Sequence, residues 1–127
     1  MGSVHHIDGN TGDVETTHSD LGSPREIADV QVDRDGVRYV EYDRRPGLST
    51  GVYTLRAGVA DPQSPHREDE IYVVVGGAGA IELDGVVHPL RVGSMVSVPR
   101  DVEHRFVDIT EDLVLAVVFG PPEGTVG

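Results

Sequence analysis

Three side chains of types that commonly bind divalent metals lie in two stretches of this sequence. The first stretch, SPHREDEIYVVVGG (residues 64–77), contains His66 and Glu70 directly before a run of β-forming residues. The second, PRDVEHRF (residues 99–106), contains His104 beside a proline-marked turn. Two histidines and one carboxylate form the facial triad that suits Fe(II) and leaves positions open for a substrate or oxygen. The alternative is a charged turn and an unrelated histidine.

The spacing of His66 and Glu70 restricts how one ion could reach both. On a helix they would share a face, but the β-branched run at 71–75 and the glycine pair at 76–77 argue against a helix. On one straight strand the two residues would lie roughly 13 Å apart, which is too far for a single ion. We therefore predict a tight turn at residues 67–69, with His66 ending one strand and Glu70 opening the next.

Composition excludes several classes of function. The chain has 127 residues, which suits one domain, and it contains no cysteine, so disulfides and thiolate metal sites are excluded. All ten basic residues are arginine, and 22 acids give a formal net charge of −12. An acidic surface of this kind repels nucleic acids and anionic membranes. No apolar window is long enough to span a membrane, and we expect a cytoplasmic protein.

Residues 1–22 are polar and acidic, and we predict that they form a disordered N-terminal segment before a single domain at 23–127. The histidines of this segment, His5, His6 and His18, are interpreted as tail residues.

Short β-type segments separated by turn signals predict an all-β sandwich or barrel. GVRYVEYD (36–43), STGVYTLRAG (49–58) and EIYVVV (70–75) are the first three predicted strands, and GGAG (76–79) is expected to end the third. Asp84-Gly85 is a hairpin signal. No segment has a helical period.

The stretch around His66 resembles the first motif of small single-domain cupins. That motif has a glycine, two histidines separated by one residue, a glutamate and a second glycine. Gly58, His66, Glu70 and Gly77 match it in order and spacing, while Ser64 stands where the first histidine belongs.

The stretch around His104 is similar to the second cupin motif. Gly93, Pro99 and His104 match, and Asp101 and Asp108 replace a glycine and an asparagine. Fifteen residues separate the two motifs, as in compact members of the family, and together the motifs cover about half of the chain.

The resemblance implies a single cupin barrel (a double-stranded β-helix, or jelly roll) with a divalent transition metal inside it. The ligands would be His66, Glu70 and His104, and the metal could be Fe, Mn, Ni or Zn. Ser64 would bind a metal-bound water or the substrate, because a hydroxyl is a poor ligand for a divalent ion.

Strand alternation identifies the walls of the expected cavity. Tyr72 and Val74 should point inward with Glu70, and Phe106 and Asp108 should do so with His104. Tyr72 is interpreted either as a proton donor or positioning group, or as an aromatic residue that fills the barrel. The predicted substrate pocket comprises Gln63, Ser64, Tyr72 and Phe106.

Five further residues lie near the motifs or on the predicted strands. Glu68 and Gln63 are interpreted as substitute ligands or as solvent-facing turn residues. At most one of Tyr53 and Arg56 should face the cavity, because their positions have opposite parity. His88 matches no ligand position of the family and is expected on the outer face.

Two functions remain open at this point. One is a metal enzyme of dioxygenase, isomerase, cyclase or lyase type that acts on a small organic substrate. The other is a non-catalytic module that binds or senses a small molecule with a degenerate metal site. Family resemblance further implies a homodimer, and an edge strand near 36–43 could pair between subunits.

Overall fold

The computed structural model describes residues 24–27, 30–32, 36–62, 67–122 and 124. The predicted disordered segment at 1–22 therefore lies outside the described residues. The strands of the described part are β1 (Val37–Arg44), β2 (Ser49–Leu55), β3 (Asp69–Leu83), β4 (Val86–Leu90), β5 (Met95–Val98) and β6 (His104–Gly120).

The strands form one antiparallel sheet with the order β1-β2-β6-β3-β4, and β5 also pairs with β3. No α-helix occurs in the part of the chain that the structure describes. The prediction of an all-β fold is confirmed. Strand β1, which includes most of the predicted 36–43 segment, lies at one edge of the sheet.

Strands β3 and β6 pair along almost their whole lengths, from Asp69 opposite Gly120 to Leu83 opposite His104. The pairing register shifts three times between Val74 and Ala80. Such irregularities bend strands sharply and increase their twist. The bends let one continuous ladder curl around the core.

The prediction that GGAG (76–79) ends a strand is wrong, because β3 continues through all four residues. Gly77 has a φ of 86°, and a Cβ atom at this position would collide with the backbone carbonyl of Asp112 on β6. Glycine therefore allows a bulge and a close approach of two backbones inside one strand.

The hairpin predicted at Asp84-Gly85 is confirmed. These two residues form the turn between β3 and β4, with φ angles of 49° and 87°. Positive φ at both central residues is the signature of the type I′ turn, whose twist matches that of the flanking strands.

The main core lies inside the curled sheet and takes buried side chains from β2 to β6. A smaller cluster of Val30, Val40 and Val52 lies on the outer face of β1 and β2. Ile27 packs against this outer cluster. The residues before β1 therefore cover part of the outer face of the sheet. The main core, on the inner face, surrounds the site.

Alternation along the strands places most of the predicted wall residues inside. Tyr72 and Val74 are buried with Glu70, and Phe106 is buried with His104. The prediction for Asp108 is wrong, because this residue is exposed. Its φ of 50° interrupts the alternation, and Ile109 points inward instead.

Candidate functional site

Glu70 and His104 meet inside the barrel although they belong to opposite ends of the β3–β6 ladder. Glu70 pairs with Phe119, whereas His104 pairs with Leu83. A straight strand would separate positions 70 and 83 by roughly 43 Å. Nevertheless, Glu70 Oε1 and His104 Nε2 lie 3.0 Å apart. The bends in the two long strands bring the two side chains together.

The ring of His104 is oriented by the backbone just before it. Its Nδ1 lies 2.8 Å from the carbonyl oxygen of Val102. A carbonyl can only accept a hydrogen bond, so Nδ1 carries a proton and Nε2 is directed at Glu70. Histidines that bind metals commonly donate their second ring nitrogen in this way, which fixes the tautomer and the ring orientation.

Tyr72 completes a buried group of three polar side chains. Its hydroxyl donates to Glu70 Oε2 at 3.0 Å and lies 3.3 Å from His104 Nε2. The ring of Phe106 packs edge-on against Tyr72, with 5.0 Å between the ring centroids. Glu70, Tyr72 and His104 are each at most 3% exposed. The group is therefore shielded from bulk solvent.

The surroundings of His104 favour its charged form. Burial alone would lower the pKa of the imidazole, but the hydrogen bonds to Glu70 and the Val102 carbonyl raise it, as do the charges of Glu70 and Asp61. The net result is a raised pKa of His104. Without a metal, a proton on Nε2 would make His104 and Glu70 a charge-assisted pair.

A second buried carboxylate, Asp61, lies in the loop between β2 and β3. Its Oδ1 accepts a hydrogen bond from the Tyr53 hydroxyl at 2.7 Å, and its Oδ2 accepts one from the Phe106 backbone N–H at 2.7 Å. Burial, the hydrogen bond to Asp61 and the charges of Asp61 and Glu70 raise the pKa of Tyr53. Tyr53 faces the interior and Arg56 is exposed, in agreement with their opposite parity.

Sequence reasoning missed Asp61. The residue lies in an irregular loop, where no alternation tells an inward side chain from an outward one. Its only signal is the combination of an acid and Pro62 at positions that the first motif does not specify, and this combination is equally typical of an exposed turn.

Glu68 is buried, and its interpretation as a solvent-facing turn residue is wrong. It is 3% exposed, and its Oε2 accepts a hydrogen bond from the backbone N–H of Gly124 at 2.9 Å. Its interpretation as a substitute ligand stays a prediction. The other predicted substitute, Gln63, lies outside the described residues, as do Ser64 and His66.

His88 is exposed on β4, as expected. It lines a groove of about 370 Å³ between β4 and β5, to which Glu70, Tyr72 and His104 do not contribute.

Two side chains of the buried group could hold a metal ion. Glu70 offers a carboxylate oxygen and His104 an imidazole nitrogen, and both types of donor suit divalent transition metals. Within the described ranges, no group of three potential ligands occurs. Glu70 and His104 are thus two converging donors of suitable chemistry.

The family is shown by comparison with known proteins. A model of the cupin domain matches residues 51–119, which is more than half of the chain and includes Glu70 and His104. The chain belongs to the cupin family. The prediction of a single cupin barrel is confirmed by this match and by the fold. The bent β3–β6 ladder is thus the framework of a cupin barrel.

Relatives of this cupin differ in how much of their length it covers. It is 45% identical over 85 residues to an uncharacterized protein of Streptomyces coelicolor, covering 67% of this chain and 81% of the relative. It is 39% identical over 57 residues to the dimethylsulfoniopropionate lyase DddW of Ruegeria pomeroyi, covering 43% of this chain and 38% of the lyase. The chain therefore spans well under half of the lyase.

Among solved structures, KdgF from Halomonas sp. superimposes with a TM-score of 0.65 at 24% identity, covering 74% of this chain and 86% of that chain. This likeness concerns the fold. No helix in the described part of the chain is long and apolar enough to cross a membrane.

Proposed function

We propose that this cupin is a metal-dependent enzyme that acts on a small organic molecule inside the barrel. His66, Glu70 and His104 would be the protein ligands of a divalent transition metal. The observation that carries the proposal is the buried contact of 3.0 Å between Glu70 Oε1 and His104 Nε2, with Nδ1 of the histidine held by Val102. His66 enters the proposal from the sequence motif.

The surroundings of His104 support the replacement of a proton on Nε2 by a metal ion. Nε2 of His104 faces a carboxylate, so that a divalent ion placed between the two groups would take the place of the proton that they share. The Val102 carbonyl keeps the ring in the orientation that a ligand needs. A bound ion would polarise a carbonyl or enolate oxygen of the substrate.

Tyr72 is the described side chain best placed to move a proton. Its hydroxyl donates to Glu70 Oε2 and lies close to His104, while its ring is held by Phe106. A group held in this way can deliver a proton to a substrate in one orientation, which general acid catalysis requires. We propose Tyr72 as this acid or as a positioning group, and Phe106 as a wall of the pocket.

The reaction class is supported less directly. The similarity to DddW favours a lyase among the four classes considered, because lyases move a proton when they break a bond to carbon. Exclusion of water by the barrel would suit such a step. A lyase acting on a small organic substrate is therefore the first activity to assay.

A metal-content experiment tests the proposal. The protein would be purified without chelators, and Fe, Mn, Ni and Zn would be measured before and after dialysis against each metal. We expect one equivalent of a transition metal in the wild type and its loss in His104→Ala and Glu70→Gln. His88→Ala is the matched control, because it removes an exposed histidine from outside the site. Equal metal content in all four proteins would refute the proposed ligands.

A non-catalytic binding module is the second candidate. It is favoured by Ser64, since a binder tolerates loss of the usual first histidine better than an enzyme does. A wild-type protein that binds no metal at any tested concentration, but still binds a small molecule, would support this candidate.

We further propose that the protein is cytoplasmic and that two copies associate. The outer face of β3 and β5 carries the exposed apolar side chains of Ile71, Val75 and Met95. Burial of such a face stabilises association. Sedimentation analysis of the wild type and of Ile71→Glu would test this, because a charge on the face should shift a dimer toward monomer.

A further inference from the structure

We infer that the groove between β4 and β5 binds the apolar part of the substrate. The occupant is a small, uncharged and mostly apolar organic molecule, whose reactive end reaches the group of Glu70, Tyr72 and His104. The inference rests on the proposed function, for which it names a class of substrate and the surface that selects it.

The groove lies between two strand edges that no described strand covers. β4 pairs with β3 at residues 79–83, and β5 pairs with the same strand at residues 70–73. Neither β4 nor β5 pairs with any other described strand. Two runs of consecutive residues, 88–90 and 94–97, line the groove, so that it follows the free edges of both strands. Its volume of about 370 Å³ suits a small molecule.

Strand pairing connects the lining of this groove with the buried polar group. Three residues that line the groove are direct cross-strand neighbours of three residues at the site: Val96 of Tyr72, Ile81 of Phe106, and Leu83 of His104. Paired residues of an antiparallel sheet point to the same face, with Cβ atoms about 4.5–5.5 Å apart. A molecule in the groove therefore lies within one side chain of the site.

The lining of the groove selects against charged ligands. Ile81, Leu90 and Val96 are its buried apolar part, and polar atoms come from His88, Ser94 and Ser97. The described residues that line it include no acid and no arginine, although the chain has 22 acids and ten arginines. A cation would find no carboxylate there, and an anion would meet no arginine on a protein of formal net charge −12. An apolar molecule with one or two hydrogen-bonding groups fits this lining.

Two dyes that differ by one charge test the class of ligand. N-phenyl-1-naphthylamine is uncharged and fluoresces in apolar surroundings, and 8-anilinonaphthalene-1-sulfonate is the same molecule with a sulfonate added. We expect the wild type to bind one uncharged dye per chain, at least about ten-fold more tightly than the sulfonate. Equal affinities for the two dyes would overturn the assignment of an uncharged ligand.

Two exposed residues of neighbouring sequence locate the bound dye. His88 lines the groove, whereas Val92, in the turn between β4 and β5, does not. Both side chains are exposed, so that the fold should tolerate a substitution at either position. We expect His88→Glu to weaken binding of the uncharged dye by about ten-fold, because it places a carboxylate against an apolar ligand. The matched control, Val92→Glu, adds the same charge and should bind the dye like the wild type.

Two results of this comparison would overturn the groove as the binding site. One is an unchanged dye affinity in His88→Glu. The other is an equal loss of affinity in His88→Glu and Val92→Glu, which would place the dye elsewhere on the surface or report only the added charge.

Mn²⁺ tests the connection between the groove and the site. A paramagnetic ion broadens the NMR signals of protons close to it, so that Mn²⁺ held by Glu70 and His104 should broaden the signals of the bound dye. Glu70→Gln removes one proposed ligand, and its bound dye should keep sharp signals at the same Mn²⁺ concentration. Equal broadening in the two proteins would overturn the connection.

The outcomes also distinguish the groove from the function on which it rests. A wild type that binds the uncharged dye as expected, but binds no Mn²⁺ or other divalent metal, would refute the metal enzyme and leave the groove as a ligand site. A wild type that binds a metal through Glu70 and His104, but binds the dye equally well after His88→Glu, would overturn the groove inference alone.

Discussion

Glu70 and Asp61 are two buried carboxylates inside the same barrel, but their hydrogen-bond donors differ in kind. Glu70 contacts the side chains of Tyr72 and His104, at 3.0 Å in each case. Asp61 accepts one hydrogen bond from a backbone N–H and one from Tyr53, both at 2.7 Å.

This difference indicates different roles. The backbone N–H of Phe106 can neither titrate nor bind a metal, so the hydrogen bond that it donates to Asp61 has a structural role. The imidazole next to Glu70 can lose its proton or turn its lone pair to a metal. A buried acid whose partners can titrate or coordinate is a candidate functional group, whereas one bound to the backbone usually is not.

The largest expected effect concerns stability of the metal-free protein. Asp61→Ala leaves a buried N–H and a buried hydroxyl without acceptors, and it should lower the free energy of unfolding by about 3 kcal/mol. Glu70→Gln keeps an acceptor for Tyr72, and its amide can donate to Nε2 of a neutral His104, so that it should lower the free energy of unfolding by only about 1 kcal/mol. Urea unfolding of both variants in the presence of a chelator measures this. Equal losses would remove the distinction between the two acids.

Ser64→His sharpens the same comparison from the Glu70 side. Ser64 occupies the position of the first histidine in the cupin motif, so that an imidazole there should raise metal affinity, by about ten-fold for a typical added ligand. Isothermal titration with Zn²⁺ measures the change, and Ser97→His, at an exposed site on β5, is the control. An affinity equal to that of the control would show that the predicted register is wrong.

Alkaline unfolding tests the surroundings of Asp61 through the pKa of its hydrogen-bond partner Tyr53. Its pKa is raised in the folded protein, so the folded state keeps the phenolic proton above about pH 10, where the unfolded state loses it. Stability should therefore be complete below pH 10 and fall as the pH rises further, by up to about 1.4 kcal/mol per pH unit from this group. Tyr53→Phe should have a shallower fall than the wild type, and an equal fall in both proteins would contradict this account of Tyr53.

Salt should have the smallest effect on stability, and this effect should not depend on the two buried acids, Glu70 and Asp61. A formal net charge of −12 without lysine implies repulsion across the surface, which ions screen. Melting temperatures should rise between low and molar salt in the wild type and in Glu70→Gln by similar amounts. A flat response would mean that the surface acids are already well paired.

Much of the fold could be predicted from this sequence, because its signals are local. Alternation placed Tyr72 and Phe106 inside, and Asp84-Gly85 marked a hairpin. The continuation of β3 through Gly77 could not be predicted, because it depends on how closely β6 approaches. The inward orientation predicted for Asp108 was wrong for a related reason. Its positive φ interrupts the alternation of β6, and the residue type alone does not reveal such a backbone conformation.

The site could be predicted in part. Spacing and motif resemblance singled out Glu70 and His104, which the structure brings together. The hydrogen bond from Gly124 to Glu68 and the one from Phe106 to Asp61 join residues more than forty positions apart. No local pattern records such contacts, because buried carboxylates in loops have the same sequence signals as exposed ones.

An anomalous diffraction measurement at the edge of the bound metal tests the central claim most directly. Crystals of the wild type grown with that metal should give a single strong peak inside the barrel. We predict that the peak lies about 2.0–2.2 Å from both a carboxylate oxygen of Glu70 and Nε2 of His104. A fully occupied metal elsewhere, with Glu70 and His104 still in contact with each other, would contradict the account.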